Sequence, residues 1–527
     1  MRAPETCGAS DRGARDLNRS LASVAVGAAV LGCVIRVAQW SGRRSLWLDE
    51  ASLAFNIVHR SWGDLMKPLT FRQGAPLGFL WIERGAVVAL GNNEYALRLW
   101  PLLCGCLAVE LTRRVSARLF GPRSVLLATA LVAVSPAMIR YSNEVKQYST
   151  DAAATLLVLL CALRVCERAS RRRWVELAAV GALSLWVSHP ATFVVAGVGA
   201  FLVGRAAWRG RWSDVRSAAL AAVPVGLSFA ELSRVSLRKL GDDPVLLTFW
   251  QDGFAPRPLA VGSFLRWVSS ASVRAIEHPL GARLAVLWAA VLVAGILGGA
   301  MLRRRALVLL APIGVTLVAA TAGRYPFQDR LILFLVAPAI ILSSGVVEWA
   351  RGPQLARRLA LGGAVVLFAA TLGPSVGAGS SRIYRIQTVN EARPAFQYAA
   401  RHSEPSDHVL VFFGSQPAYY YYQHIAGIQA DWDLFPTEPS EECRPLAITG
   451  RAWVVFTFDY VRRSDVLDEL RSIGTLVDRG EYPGAGAYLF DLSSGSTTEP
   501  VCLKLQAPLN FGRANLGTRP FATGAAS

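Results

Sequence analysis

Charge is what this sequence has little of. Only 17% of its 527 residues are Asp, Glu, Lys or Arg, against about 25% in a soluble domain. With 53% apolar residues and a mean hydropathy of +0.35, that deficit excludes an ordinary cytosolic enzyme. It also excludes a disordered chain, which needs low hydrophobicity. Acidic residues are scarcer than basic ones, 37 against 55, for a formal charge of +18. A basic balance marks nucleic-acid binding when it forms one patch or stripe. Here Arg falls in short clusters between apolar runs, the pattern of a polytopic membrane protein, and no nucleic-acid partner is expected. The 8 cysteines are scattered. Cys104-Gly-Cys106 has no His or Cys companion at metal spacing, so a zinc site is rejected. Cys33, Cys104, Cys106, Cys161 and Cys166 read as small apolar fillers. Cys443 and Cys502 both lie in the tail, where a disulfide is allowed. No small-residue cleavage site follows the apolar run Leu21–Val34; Gln39, Trp40 and Arg43 do, so an uncleaved first span is expected rather than a signal peptide.

A spanning helix needs roughly 20 mostly apolar residues. Candidates lie near Leu21–Gln39, Leu97–Thr112, Ser124–Ile139, Ala152–Leu163, Trp174–Val187, Ala191–Ala207, Ala218–Leu232, Ala282–Leu302, Ala306–Thr321, Leu331–Val347 and Leu359–Leu372. Arg clusters fix the orientation. They occur at Arg2–Arg19, Arg113–Arg123, Arg164–Arg173, Arg205–Arg216, Arg303–Arg305 and Arg351–Arg358. With about eleven spans, every cluster shares the inner face with the N-terminus, as the positive-inside rule requires. Pro76–Leu90 must then stay out of the membrane. It is short and holds Glu83 and Arg84, so it is expected as a juxtamembrane helix on the outer surface. The expected organisation is a cytoplasmic N-terminus (1–20), a transmembrane module (21–375) whose outer loop (41–95) carries the active site, an outer α/β domain (376–505) and a polar, disordered tail (506–527). In the tail region Val409–Phe413, Trp453–Phe458 and Ala487–Phe490 read as strands, and Ala392–Arg401 and Asp465–Ile473 as helices. The run Tyr419–Tyr422 suits either sugar stacking or a half-buried helix face.

On this topology the outer face collects ionisable residues at the ends of spans. They are Asp49 and Glu50 past the first span, Arg98 at the start of the second, Tyr141–Asp151 between the third and fourth, and Arg324–Arg330 between the ninth and tenth. Charges at membrane depth mark functional sites, and their shared side strengthens an inference that end positions weaken. A partly desolvated carboxylate is a candidate general base. Arg offers a planar fork to phosphate oxygens and Lys a point charge. Together beside a bilayer they suggest a lipid phosphate as leaving group, with the cations stabilising the departing charge. His189-Pro190 ends the fifth span on this face and reads as structural. Arg36 and Glu231 are candidates for a structural pair. The loop Ser233–Gly281, with Trp250 and Trp267, reads equally as a lid or an ordinary loop.

The ordered set Leu-Trp-Leu-Asp49-Glu50-Ala, Gln73-Gly-Ala-Pro76, Asn93-Glu94-Tyr95-Ala-Leu97-Arg98, Tyr141-Ser142-x-Glu144-Val-Lys146-Gln-Tyr148-Ser-x-Asp151 and Arg324-Tyr-Pro326-x-x-x-Arg330 resembles the GT-C glycosyltransferases. It is most similar to the bacterial branch related to dolichyl-phosphate-mannose–protein mannosyltransferases. The resemblance runs from about Trp47 to Pro338 and says nothing of the sugar. It implies Asp49 as catalytic base with Glu50 beside it, and Arg98 as a residue that binds the donor phosphate or holds the first loop. Glu144, Lys146, Tyr148, Asp151, Arg324 and Arg330 complete the expected substrate site. Many members carry His-Pro-Pro or Lys-Pro-Pro before the surface helix. Here Gln73-Gly-Ala-Pro76 departs from that pattern, which puts acceptor contacts there in question. No cofactor is assigned; Glu144 and Asp151 are the carboxylates open to a divalent metal.

The expected protein is an α-helical polytopic GT-C-like glycosyltransferase of the plasma (inner) membrane. It takes a sugar from a polyprenyl-phosphate donor to a glycan, lipid or protein acceptor on the outer face, with inversion, among membrane lipids. The competing class is a transporter or lipid-linked sugar flippase, which would show internal repeats and charges at midplane; neither is seen. A sensor would need an inner output domain, and the inner loops are too short for one.

Overall fold

The computed structural model describes residues 6–237, 244–281, 285–302, 304–351, 353–376, 390–411, 413–423, 433–434, 445–446, 450–457, 463–493 and 501–502. Cys443 and the tail 506–527 lie outside these residues, so the disulfide and disorder expectations do too. The first part is helical: α1 (Thr6–Ser41), α2 (Leu48–His59), α3 (Leu77–Leu90), α4 (Glu94–Leu119), α5 (Pro122–Val134), α6 (Pro136–Tyr141), α7 (Tyr148–Glu167), α8 (Arg171–Val187), α9 (Ala191–Trp208) and α10 (Trp212–Leu232). There follow α11 (Pro244–Phe249), α12 (Val261–Glu277), α13 (Ala285–Leu302), α14 (Leu310–Thr321), α15 (Val336–Ser344) and α16 (Gln354–Val376).

Among the described residues, 7 helical segments are long and apolar enough to cross a membrane: Arg15–Ser41, Glu94–Leu119, Tyr148–Glu167, Ala191–Trp208, Trp212–Val235, Arg304–Thr321 and Asp329–Trp349. The other four segments read as spans also fall on helices, α5, α8, α13 and α16. The expected span Ser124–Ile139 is not continuous. It breaks between α5 and α6 at Ser135-Pro136, because Pro lacks the N–H and pushes its predecessor out of the helical region. The expected span Leu331–Val347 is likewise built of a 3₁₀ run, Asp329–Leu335, then α15, then a second 3₁₀ run, Gly345–Arg351. Arg36 does not pair with Glu231. Its guanidinium donates to the carbonyls of Gly32, Val132 and Ala133 at 2.8–3.1 Å, whereas Glu231 meets Arg234 at 3.6 Å on the surface.

Residues 390–493 form a five-stranded sheet in the order β2-β1-β4-β6-β5. The strands are β1 (His408–Val411), β2 (Asp433–Leu434), β4 (Arg451–Phe456), β5 (Thr475–Tyr482) and β6 (Ala485–Asp491), with β3 (Pro445–Leu446) and β7 (Val501–Cys502) pairing separately. β1 runs parallel to β2 and β4, while β4, β6 and β5 alternate in direction. Helices α17 (Ala392–His402), α18 (Gln416–Tyr422) and α19 (Arg463–Ile473) accompany it. The period of two in a strand divides its side chains between two faces. Leu410, Val454, Phe456, Tyr488 and Phe490 pack with Val466, Leu467 and Leu470 of α19. Val409, Val411, Trp453, Val455 and Leu489 pack on the other side with Phe396 of α17 and Tyr419, Tyr421 and Tyr422 of α18. That second core is continuous with Ala51, Leu53, Ala54 and Ile57 of α2 and Leu77, Phe79 and Leu80 of α3. The segment after α1 and the C-terminal sheet therefore share one apolar interior. Three of the four tyrosines in the run lie in that interior, and Tyr420 alone keeps partial exposure.

Candidate active site

Asp49 and Glu50 occupy the first turn of α2, where a carboxylate is favoured by the helix dipole. Adjacent on the chain, they point to different surroundings. Glu50 is fully buried. Its carboxylate takes two bonds from Arg98, Nε–Oε1 at 2.9 Å and Nη2–Oε2 at 2.7 Å. It also accepts from the backbone N–H of Val145 at 2.9 Å and of Trp47 at 3.4 Å. Burial alone would raise this carboxyl, but Arg98 and Arg44 outweigh it and hold it below the ordinary value. All of these partners come from the protein itself, an engagement that suits an anchoring carboxylate. Arg98 donates to Glu50 and to the carbonyls of Arg44 and Ser45 at 2.7 and 3.1 Å, contacts of the kind that hold the first loop.

Asp49 keeps partial exposure, its side chain 21% accessible, and its Oδ2 lies 2.7 Å from Nη2 of Arg330. Burial pushes the Asp49 carboxyl up, and the charges of Arg330, Lys146 and Arg140 more than reverse this, so it is ionised well into the acid range. Arg330 stands in an aromatic box. Its guanidinium carbon is 5.6 Å from the Trp47 ring, 5.9 Å from Tyr148 and 5.5 Å from Trp250, distances that suit cation–π attraction. Asp329 before it adopts φ 46°, a left-handed conformation that a non-glycine residue holds only under constraint. Lys146 is buried and donates from Nζ to Gln73 Oε1 at 2.6 Å. Burial lowers its pKa, an effect that Asp49 partly offsets. Glu144, fully buried, accepts from Arg140 Nε at 2.8 Å. Gly105 of α4 lets the 142–147 turn approach: a Cβ there would collide with Ser142.

Five of the expected residues thus gather here: Asp49, Glu144, Lys146, Tyr148 and Arg330. Glu50 and Arg98 lie beneath them as support. Asp151 is buried and bonded to the Ser188 side chain, away from the Asp49 pair. Arg324 is exposed and contributes to none of these contacts. Sequence reasoning missed Trp47 and Arg140, and left Trp250 in a loop of undecided role. Trp250 is a wall of the site. Its loop is tied to the 326–328 stretch, since Phe327 N donates to Gly253 O at 2.8 Å. No local signal marks Trp250; a lone Trp in a loop has many explanations. Among the described residues no group of three His, Cys, Asp or Glu is arranged to hold a metal ion.

The comparisons with known proteins bear on this arrangement. Residues 74–230 match the family model described as dolichyl-phosphate-mannose-protein mannosyltransferase. The resemblance read from the motifs holds over that stretch, which carries Gly105, Arg140, Glu144, Lys146 and Tyr148. Asp49 and Arg330 lie outside it, so their roles rest on geometry. Among solved structures, the chain is similar to ArnT from Cupriavidus metallidurans in the apo state, at 13% identity and TM-score 0.49, over 90% of this chain and 100% of that one. The same protein bound to undecaprenyl phosphate matches at 13% identity and TM-score 0.48, over 88% and 97%. The Archaeoglobus fulgidus oligosaccharyltransferase in complex with Zn and sulfate matches at 14% identity and TM-score 0.48, over 78% and 62%. No curated protein matches the sequence significantly.

Proposed function

We propose that the chain is an inverting membrane glycosyltransferase that moves a sugar from a polyprenyl-phosphate carrier to an envelope acceptor on the outer face of the plasma membrane. The observation that carries this reading is the Asp49–Arg330 pair, a partly exposed carboxylate and guanidinium 2.7 Å apart. The family match over residues 74–230 supports the substrate class. Asp49 takes the proton of the acceptor hydroxyl as that oxygen attacks the anomeric carbon. The bond from this carbon to the phosphate oxygen breaks, and its electron pair leaves on polyprenyl phosphate. Arg330 presents a planar fork to the phosphate, and Lys146 adds a buried positive charge; both stabilise the charge that develops on the leaving group. Attack opposite the phosphate inverts the anomeric centre. The positions of the Arg clusters support a topology of about eleven spans with an inner N-terminus and an outer C-terminal α/β domain (376–505) on the side of this site.

Purified protein in detergent, given radiolabelled polyprenyl-phosphate hexoses and pentoses and a membrane extract from a deletion strain as acceptor, should release polyprenyl phosphate and label the extract. Mass spectrometry of the deletion strain's envelope glycans should show one sugar missing. A complete glycan profile together with no transfer from any donor would overturn the proposal.

A further inference from the structure

Residues 43–46, just before the catalytic helix, are held with unusual completeness. The chain leaves α1 at Ser41 and turns through Arg43, which adopts φ 42°. This is the left-handed region, and a side chain sits there only when its surroundings impose it. From the side of α4, Arg98 holds the carbonyls of Arg44 and Ser45. From the opposite side the C-terminal unit holds the rest. Arg393 Nη2 donates to the Arg43 carbonyl at 3.1 Å. The backbone N–H of Arg393 donates to Ser45 Oγ at 3.2 Å, and that hydroxyl donates to Glu391 at 2.8 Å. The N–H of Leu46 donates to the Tyr422 hydroxyl at 2.8 Å. Tyr422 in turn donates to Glu94 Oε1 at 3.1 Å, which also meets Arg393 Nη1 at 2.8 Å. Tyr422 and Glu94 are almost fully buried. Asp49 begins three residues beyond this clamp.

We infer that the C-terminal α/β unit belongs to the catalytic machinery as a positioning device: through Tyr422 and Arg393 it sets the path of residues 43–46 and so aims Asp49 at the reacting hydroxyl. This rests on the reading of Asp49 as the base. A surface unit needed only for stability has no reason to spend a buried Tyr–Glu–Arg network on a strained turn beside that carboxylate. The unit's core, continuous with α2 and α3, fixes the helix body, while the polar clamp fixes its entry. Misplacing a base by about 1 Å costs up to 10²-fold in rate, so the clamp acts on turnover and not on the hold of the donor phosphate by Arg330 and Lys146.

The test uses Tyr422→Phe, which removes one hydroxyl, and Arg393→Gln as a second variant in case the first does not fold. Transfer from whichever radiolabelled polyprenyl-phosphate hexose or pentose the parent protein uses, to membrane extract from a deletion strain, is measured in full-length protein, alone and combined with Asp49→Asn. Each single variant should lower kcat about tenfold with the donor KM within about twofold. In the Asp49→Asn background the same change should lower the residual rate no further, because the effect passes through Asp49. An equal loss in both backgrounds, an unchanged kcat, or a raised KM alone overturns the inference. Near-normal turnover by Asp49→Asn by itself would instead defeat the assignment of the base.

Discussion

Glu50→Gln and Asp49→Asn make the same chemical change at neighbouring positions and should have opposite consequences. Glu50 is fully buried and neutralises Arg98, whose side chain is 3% exposed, with Arg44 at 4.0 Å. Gln keeps the size but removes the carboxylate that both guanidinium groups meet in a dry site. Breaking a buried pair from one side costs about 3–5 kcal/mol, which lowers a thermal midpoint by roughly 5–10 °C. Asp49 and Arg330 are 21% and 17% exposed, and water screens what remains when the pair is broken. The cost there is about 1 kcal/mol, a shift of roughly 2 °C. Activity runs the other way. Asp49→Asn removes the proton acceptor and should lower turnover about 10²–10⁴-fold, while Glu50→Gln retains transfer in whatever fraction stays folded. The assay is thermal unfolding of detergent-purified protein, with turnover measured on the same preparations. If Glu50→Gln melts within about 2 °C of the parent, or Asp49→Asn melts lower than Glu50→Gln, the division between anchor and base is wrong.

Further outcomes are expected. Arg330→Ala should raise the donor KM about 10- to 100-fold, the loss of one charge-assisted bond, whereas Arg324→Ala should leave it within twofold; equal effects would remove Arg330 from the phosphate site. Asp49 is held below its usual pKa in the folded protein, so kcat/KM should stay flat from pH 7 down to 5 and lose this base only below about pH 4; an acid limb near pH 6 that disappears in Asp49→Asn contradicts the electrostatic account. Glu83 is buried, among the described residues its carboxylate has no hydrogen-bond partner, and burial raises its pKa. A raised pKa means stability lost as pH rises, so Glu83→Gln should raise the thermal midpoint at pH 7 and reduce its fall between pH 5 and 7; a lower midpoint would reveal a partner for the charge. In intact cells an impermeant thiol reagent should label a Cys placed at Asn92 and not one at Arg172, in a background without native cysteines; labelling at Arg172 would invert the topology.

Much of this protein was written in local patterns. Apolar runs of spanning length, interrupted by Arg, mark helices because a bilayer leaves the backbone no other partner than itself. Among the described residues the eleven apolar segments are mainly helical, the third being broken at Ser135-Pro136. Short apolar runs in Val409–Phe413, Trp453–Phe458 and Ala487–Phe490 marked segments that overlap β1, β4 and β6, although Phe413 already belongs to a 3₁₀ turn, since such a run is a signal carried by neighbouring residues alone. The partner strand Thr475–Tyr482 escaped because its polar sequence, Asp478, Arg479 and Glu481 included, buries little of itself. Asp49, Lys146, Tyr148 and Arg330 were legible as chemistry-bearing residues in loops of one side. What the chain alone could not decide was which of two adjacent carboxylates meets water. One residue of helical rotation separates Asp49, beside Arg330, from Glu50, locked on Arg98. That choice is made by groups about 50 and 280 positions away in the sequence, and charge pairing depends on distance in space. Trp250 beside Arg330, and the grip of Tyr422 and Arg393 on residues 43–46, exist for the same reason only in the folded chain. Their partners are brought together by a core shared between α2, α3 and the C-terminal sheet.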